Sequence, residues 1–155
     1  MTLNRRLLIV LGTLGSVGLI LGALAFQYIG GMPPCKLCYW QRYGHALAIA
    51  AGVAALVLPA RLVALIGAAG AGGSAAVGLY HTGVERGWWE GPTSCTSGSI
   101  SGLTPEELMA QIMNAPLVRC DDVAWSMLGL SMASWNAIAS AVLCGLWLAA
   151  ALRRT

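Results

Sequence analysis

Four long apolar runs alternate with polar breaks along the chain. They cover about 7–29, 40–58, 62–80 and 133–152. The hydrocarbon core of a bilayer is ~30 Å thick, and a helix crosses it with about 20 apolar residues, so each run predicts a transmembrane helix. Only Pro59-Ala60-Arg61 separates the second run from the third, which indicates an antiparallel pair. The pattern predicts an all-α membrane protein, a four-transmembrane-helix bundle that forms a single domain over 1–155.

Composition excludes the soluble alternative. Of the 155 residues, 57% are hydrophobic and 10% are charged, whereas soluble domains carry roughly 25% charged residues. The distribution of basic residues then predicts the orientation in the membrane. If the spans alternate, five arginines fall on one side: Arg5, Arg6, Arg61, Arg153 and Arg154. Cytoplasmic flanks carry the excess of Lys and Arg, so both termini are expected in the cytoplasm. The 30–39 connection and the long 81–132 segment are expected outside.

The first run has a second interpretation, a cleaved secretory signal, because Arg5-Arg6 precede it and Ala23-Leu24-Ala25 resembles a cleavage site. The run is longer than the apolar core of a signal and continues to Ile29. Cleavage would also leave three spans and break the charge pattern. We therefore expect Met1 to Ala25 to be retained.

The 81–132 segment is too long to be a simple connection. Within it, Thr104-Pro105-Glu106-Glu107 has the residues of a helix start: an N-cap, proline at the first position and an acidic residue that closes a capping box. The sequence predicts a short amphipathic helix from there to about Asn114. Its acidity argues against attraction to anionic lipid, so packing against protein is the better interpretation.

The cysteines carry the candidate chemistry. Cys35, Cys38, Cys95 and Cys120 all lie in the segments predicted outside, and Cys144 lies within the last run. Four cysteines in an oxidising compartment favour two disulfides, for which three pairings exist. A Cys35–Cys38 pair and a Cys95–Cys120 pair are the simplest division. For the Cys95–Cys120 pair, a purely structural role and a redox role are equally compatible with the sequence.

The Cys35-Lys36-Leu37-Cys38 doublet has the spacing of a redox dithiol or of half a zinc site. Its two-residue spacer closes a loop too small to stabilise much, and Pro33-Pro34 places the thiols at a helix N-terminus, where thiol pKa values fall. Haem attachment would need a histidine where Tyr39 stands. Zinc could recruit His45 and His81, but a second paired spacing is missing. The redox interpretation is therefore preferred.

Two cationic or titratable side chains are predicted close to the doublet. Arg42 lies four residues after Cys38 on the same helix face. His81 ends the third run and reaches the same outer level. Snorkelling to the membrane surface is the simple alternative for Arg42. Together with the thiols, these groups would suit the head of a quinone, whose oxygens need hydrogen-bond donors on reduction.

Three segments of the chain resemble the DsbB family of bacterial disulfide-bond-forming membrane proteins. Cys35 to Arg42, CKLCYWQR, resembles the family's cysteine motif. The segments YHTGVE (80–85) and PTSC (92–95) resemble its approach to a second cysteine pair. Arg119-Cys120, followed by Trp125 and LGLSM (128–132), resembles the return to the last span. The likeness covers nearly the whole chain; Cys144 is outside the pattern.

The resemblance implies an enzyme of the bacterial inner membrane, a dithiol:quinone oxidoreductase with no nucleic-acid partner. A periplasmic DsbA-like thiol oxidase would exchange with Cys95–Cys120 through Cys95, and the electrons would pass to Cys35–Cys38. Cys35 would exchange with the loop pair, while Cys38, Arg42 and His81 would face a membrane quinone, ubiquinone or menaquinone.

Two rival functions are compatible with parts of the pattern. A quinone reductase of the vitamin-K-epoxide-reductase type also uses a membrane doublet and loop cysteines, but lacks the motif ending in Gln41-Arg42. A non-enzymatic membrane bundle, stapled by disulfides or binding metal, is the more distant rival.

Overall fold

The computed structural model describes residues 4–58, 60–93, 95, 102–113 and 118–153. Within these ranges the chain forms five helices and two very short strands. They are α1 (Arg5–Tyr28), α2 (Lys36–Ala54), α3 (Ala60–Glu85), α4 (Pro105–Met113), β1 (Ser126–Met127), β2 (Leu130–Ser131) and α5 (Met132–Leu152). The four long helices α1, α2, α3 and α5 pack together, and α3 packs most extensively, against both α2 and α5.

Three of the described helices, α1, α3 and α5, are long and apolar enough to cross a membrane. This confirms an all-α membrane protein in its coarse form. The helix α2 is 19 residues long, and its first three turns carry Lys36, Gln41, Arg42 and His45, which lower its mean hydropathy. A membrane span at α2 therefore remains a prediction.

The long helices differ in their bounds from the apolar runs. The third helix continues past Tyr80 to Glu85, and the second begins at Lys36 rather than at residue 40. Both of these extensions lie at the end where the cysteines are, whereas at the opposite end the second helix stops at Ala54 rather than at residue 58. Polar side chains end an apolar run, but they do not end a helix. The backbone hydrogen bonds of the helix continue where these side chains find hydrogen-bond partners of their own.

Small residues allow the helices to approach closely at one end of the bundle. Trp147 of α5 is completely buried there, and it lies over Gly12 of α1 and Gly67 of α3. A Cβ atom at Gly67 would overlap the indole ring of Trp147. The indole ring belongs to a cluster of mainly aliphatic side chains, which includes Leu8, Ile9, Val63, Ala64, Leu143 and Ala150. Close approach through small residues is how helices associate in lipid.

The predicted start of α4 is confirmed. The backbone N–H of Thr104 donates to Oε2 of Glu107 at 2.8 Å, and the backbone N–H of Glu107 donates to Oγ1 of Thr104 at 3.3 Å. These bonds form the capping box, and they lower the pKa of Glu107. The described helix ends at Met113; Asn114, its predicted end, lies outside the described residues.

A small hairpin that the sequence did not predict leads into α5. Strands β1 and β2 pair antiparallel, with Ser126 opposite Ser131. Both turn residues have positive φ angles, 53° at Leu128 and 76° at Gly129, as a two-residue hairpin turn requires. Strands of two residues are too short to produce an alternating pattern. The hairpin ends at Ser131, whose hydroxyl accepts from the backbone N–H of Ser134 and caps α5.

Candidate functional site

Cys35 and Cys38 lie at the start of α2, as predicted. Cys35 is the N-cap residue, and its Sγ accepts from the backbone N–H of Cys38 at 3.3 Å. Both cysteines are free thiols in this structure, with their sulfur atoms 3.0 Å apart. The expected Cys35–Cys38 disulfide is therefore not formed here, although the two sulfur atoms are neighbours.

The surroundings of Cys35 favour its thiolate. The hydrogen bond from the Cys38 thiol, with smaller contributions from His81 and the Cys38 backbone N–H, lowers the pKa of Cys35 to about 4, against the opposing effect of burial. An ordinary cysteine has a pKa of ~8.5, so Cys35 is the nucleophilic sulfur of the doublet at neutral pH. Cys35 is nonetheless buried, with 5% of its surface exposed, and only a reactant that enters the protein or belongs to it reaches it.

Cys95 and Cys120 form a disulfide, which is the pairing expected for the outer loop. Both cysteines are buried, and they pack with Cys35, Leu37 and Val84 in one apolar cluster. The sequence around Cys95, PTSCTSG (92–98), is polar and predicts an approachable thiol, and in this respect the structure differs, because Cys95 is only 2% exposed. The fold thus brings the loop disulfide against the membrane doublet and shields it from solvent.

His81 lies between the two cysteine pairs. Its Nε2 is 3.7 Å from Sγ of Cys35 and 3.1 Å from the carbonyl oxygen of Cys120. One turn later on α3, Oε1 of Glu85 is 3.9 Å from the same nitrogen, and Glu85 in turn accepts a hydrogen bond from the hydroxyl of Ser131. The predicted convergence of His81 with the doublet is present. A role for Glu85 is not predictable from the sequence, because its contact with His81 depends on α3 extending beyond the apolar run.

Arg42 faces α1. Its guanidinium donates to Oε1 of Gln27 at 2.6 Å and to the carbonyl oxygen of Ala23 at 3.2 Å, and it lies over the ring of Tyr39. These contacts hold the cation near the end of the bundle that carries the cysteines. A guanidinium has five N–H donors, and the two contacts with α1 leave donors for a further acceptor.

A cavity of about 120 Å³ opens beside the doublet. The polar part of its lining includes Cys38, Arg42 and His81 together with the acidic Glu85 and Asp122, and apolar side chains such as Phe26 and Trp125 complete it. Phe26 and Trp125 contact each other with ring centroids 5.1 Å apart. An apolar slot with a few converging donors is typical of a small-molecule site.

A buried polar cluster continues from the cavity into the bundle. Most of this cluster is not predicted by the sequence. His45 contacts the hydroxyls of Ser16, Ser74 and Ser140 at 3.4, 3.0 and 3.0 Å, and Oδ1 of Asn136 at 3.1 Å. Serines and an asparagine within apolar runs are a weak signal, because such residues often satisfy a neighbouring carbonyl of their own helix. His45 thus packs away from the thiols and does not join them in a metal site.

The only group of metal-ligating side chains among the described residues consists of Cys35, Cys38 and His81, whose ligand atoms lie within 4.8 Å of one another. The hydrogen bond between Nε2 of His81 and the Cys120 carbonyl uses the nitrogen that a metal would need. A carbonyl oxygen can only accept, so this nitrogen carries a proton. The arrangement favours thiol chemistry over a resident metal ion.

Comparison with known proteins gives one consistent answer. The family model of disulfide bond formation protein DsbB matches residues 5–150. Disulfide bond formation protein B of Methylococcus capsulatus is 34% identical, over 85% of this chain and 85% of its own length. Disulfide bond formation protein B 2 of Pseudomonas aeruginosa is 30% identical, over 99% of this chain and 95% of its own length. No solved structure matches the chain.

The match extends over the helices, the doublet and the loop disulfide together, and it confirms the resemblance inferred from the cysteine motif. The chain belongs to the DsbB family, and it is a membrane protein of disulfide bond formation.

Proposed function

We propose that this protein reoxidises a periplasmic DsbA-like thiol oxidase and passes the electrons through its two cysteine pairs to a membrane quinone. The observation that carries the proposal is the position of the Cys35–Cys38 doublet. On one side it packs against the Cys95–Cys120 disulfide, and on the other side Cys38 lines the cavity with Arg42. A dithiol that lies between a disulfide and an apolar cavity suits the transfer of electrons from the loop pair to a molecule bound in the cavity.

The steps balance as three exchanges of two electrons and two protons. The partner's dithiol reduces Cys95–Cys120 through a mixed disulfide, and the partner leaves with its own disulfide. The Cys95 and Cys120 thiols then reduce a Cys35–Cys38 disulfide. Cys38, Arg42 and His81 would hold a quinone in the cavity, and this quinone would accept the two electrons and two protons of the reduced doublet.

The side chains divide this work. Cys35 forms the mixed disulfide with the loop pair, and because its pKa is lowered it leaves readily as a thiolate when that disulfide is resolved. Cys38 faces the cavity and delivers the electrons there. Arg42 and His81 supply hydrogen-bond donors to oxygens that gain negative charge. The quinone ring would lie between apolar side chains of the cavity wall, such as Phe26 and Trp125.

The membrane arrangement follows the same proposal. We place α1, α2, α3 and α5 as four spans, with both termini in the cytoplasm and the 81–132 loop in the periplasm of a bacterial inner membrane. The arginines Arg5, Arg6, Arg61 and Arg153 lie at the ends of helices opposite to the cysteines, in accord with the positive-inside rule.

Reduction of a short-chain quinone by the purified full-length protein tests this function. With a reduced DsbA-like protein as donor, quinone absorbance is expected to fall in proportion to partner oxidised, one quinone for each dithiol. Ubiquinone and menaquinone analogues compared side by side identify the preferred acceptor. Partner oxidation that consumes no quinone would refute the proposed acceptor.

Trapping tests the partner-facing thiol. A DsbA-like protein that lacks its resolving cysteine is expected to form a stable mixed disulfide with Cys120→Ser, in which Cys95 is left alone. The matched variant Cys95→Ser is expected to trap much less. Since Cys95 is buried, the trap is also expected to form more slowly than with an exposed thiol. Equal capture by both variants would contradict the assignment of Cys95.

A further inference from the structure

Gln41 connects the sulfur chemistry with the polar cluster inside the bundle. Its Nε2 lies 3.2 Å from the carbonyl oxygen of Leu37 and 3.0 Å from Nδ1 of His81. Its Oε1 accepts from Nδ2 of Asn136 at 2.7 Å. A carbonyl oxygen accepts and an amide nitrogen donates, so these contacts determine the orientation of the Gln41 amide. The amide nitrogen faces His81.

The orientation of Gln41 selects one form of the His81 ring. Because the Gln41 amide donates to Nδ1, this ring nitrogen must be the unprotonated one. On the other side of the ring, Nε2 contacts the carbonyl oxygen of Cys120 at 3.1 Å, and this contact requires a proton on Nε2. Two independent hydrogen bonds therefore select the same neutral form, with its single proton on Nε2.

The selected form has a chemical consequence for Cys35. The protonated Nε2 lies 3.7 Å from Sγ of Cys35, so His81 presents a donor to the sulfur. It does not present a lone pair that could remove a proton from it. An imidazolium would bring an Nδ1–H against the amide N–H of Gln41, and Gln41 therefore opposes protonation. The charged groups around the ring, the Cys35 sulfur and Glu85, act in the opposite direction by favouring a cation.

We propose that Gln41, held by Asn136, is a positioning residue that keeps His81 neutral and protonated on Nε2, so that His81 donates to the Cys35 thiolate and to the Cys120 carbonyl. His81 thereby ties the membrane doublet to the loop disulfide without accepting the proton that leaves Cys35. The inference rests on the proposed exchange role of Cys35. Both Gln41 and His81 are buried, at 5% and 4% exposure, so these hydrogen bonds are shielded from bulk water.

Nitrogen NMR of the imidazole rings tests the inference directly, because the chain contains two histidines. In full-length protein labelled with ¹⁵N-histidine, His81 is expected to show a protonated Nε2 and an unprotonated Nδ1 at neutral pH. The signals that disappear in His81→Gln identify the ring. In Gln41→Glu the new carboxylate accepts from Nδ1, and His81 is expected to become doubly protonated. In Gln41→Leu, which removes the donor, the preference for Nε2 is expected to weaken.

Reactivity of Cys35 gives the second measurement. In the reduced wild-type protein the rate of Cys35 alkylation is expected to show no inflection between about pH 5 and 8, the range in which histidines commonly titrate. Gln41→Glu is expected to introduce an inflection above neutral pH, because His81 is doubly protonated at neutral pH in this variant and loses its charge beside the sulfur as the pH rises. Cys144→Ala is the control: Cys144 contacts the carbonyl oxygen of Ala68 on the far side of the cluster, and both measurements should match wild type.

These outcomes separate the inference from the proposed function. A wild-type spectrum with the proton on Nδ1, or a Gln41→Glu spectrum identical to wild type, overturns the role of Gln41 whatever the quinone assay gives. If Gln41→Glu does not fold, Gln41→Leu and Asn136→Ala provide the same test, and unchanged ring signals in both refute it. Failure of quinone reduction with the expected ring signals refutes the acceptor and leaves the positioning role intact.

Discussion

The two ends of the helix bundle are built on different principles. At one end, Trp147 fills the space between glycine positions of α1 and α3 and is surrounded by aliphatic side chains. At the other end, the space between the helices holds Cys35, His81 and the loop disulfide. Trp147 carries the only buried side-chain polar atom without a hydrogen bond among the described residues, the indole nitrogen. At the cysteine end, by contrast, the buried polar groups are linked to one another.

The difference indicates a division of labour. In lipid, apolar side chains gain little from leaving their surroundings, so helix association depends on close packing. The Trp147 end supplies that packing and fixes the spacing of the helices. The cysteine end can then hold reactive sulfur atoms and polar groups at a few ångströms from one another. Changes at the Trp147 end should therefore alter stability, and changes at the cysteine end should alter chemistry.

The largest expected effect is at the doublet. Cys38→Ala removes one of the two doublet sulfur atoms that line the cavity, so the doublet can no longer cycle between dithiol and disulfide, and quinone reduction driven by the partner is expected to fall to background. Trapping of the partner through Cys95 should survive, because that exchange uses the loop disulfide. Turnover assays and mixed-disulfide gels measure the two halves separately. Retained quinone turnover in Cys38→Ala would show that the cavity is not the acceptor site.

The next effect in size is at Arg42. A hydrogen bond to a charged group contributes ~1.5–3 kcal/mol, so Arg42→Ala is expected to weaken apparent quinone affinity roughly ten- to a hundredfold. Arg42→Lys keeps the charge but loses the planar set of donors, and a smaller loss is expected. Steady-state kinetics with quinone and partner varied independently measure both. If quinone dependence is unchanged in Arg42→Ala, Arg42 is only an anchor to α1.

Cys35 gives a pH test of the cysteine end. With a pKa of about 4, its thiolate is present above that pH and is lost as the pH falls through it. Alkylation of Cys35 in the reduced protein is expected to be equally fast at about pH 6 and 8. In Cys38→Ala the main cause of the lowered pKa is absent, and the rate at pH 6 is expected to drop. Mass spectrometry of quenched samples follows the modification; a wild-type rate that rises tenfold per pH unit across this range would contradict it.

The smallest effect on chemistry is expected at the Trp147 end. Gly67→Ala places a methyl group against the indole ring, and overpacking of this kind costs about 1–3 kcal/mol of folding stability. The thermal midpoint in detergent should fall, while Cys35 alkylation and quinone affinity of the folded protein stay as in wild type. Gly73→Ala is the matched control on α3, since a Cβ there meets no neighbouring atom within 4 Å. A stability loss at Gly73 equal to that at Gly67 would remove Trp147 as the cause.

Much of the local structure was predictable because its causes lie close together along the chain. Pro33 and Pro34 precede the helix that begins after Cys35, and Thr104 and Glu107 form their capping box across a single turn. The extension of α3 to Glu85 was not predictable, because the polar residues at its end find their partners on other segments. The contact of Glu85 with Ser131 joins α3 to the hairpin, and neither position indicates the other.

The class of the protein, its long helices, its cysteine motif and its family can be read from the linear chain, since hydrophobic length and residue spacing are properties of the sequence. The burial of the loop disulfide against Cys35 and the hydrogen bond from Gln41 to His81 are visible only in the folded protein. Hydrogen bonds and sulfur contacts depend on distances of a few ångströms between segments 40 or more residues apart. Such distances are set by the packing of the helices, which no single segment encodes.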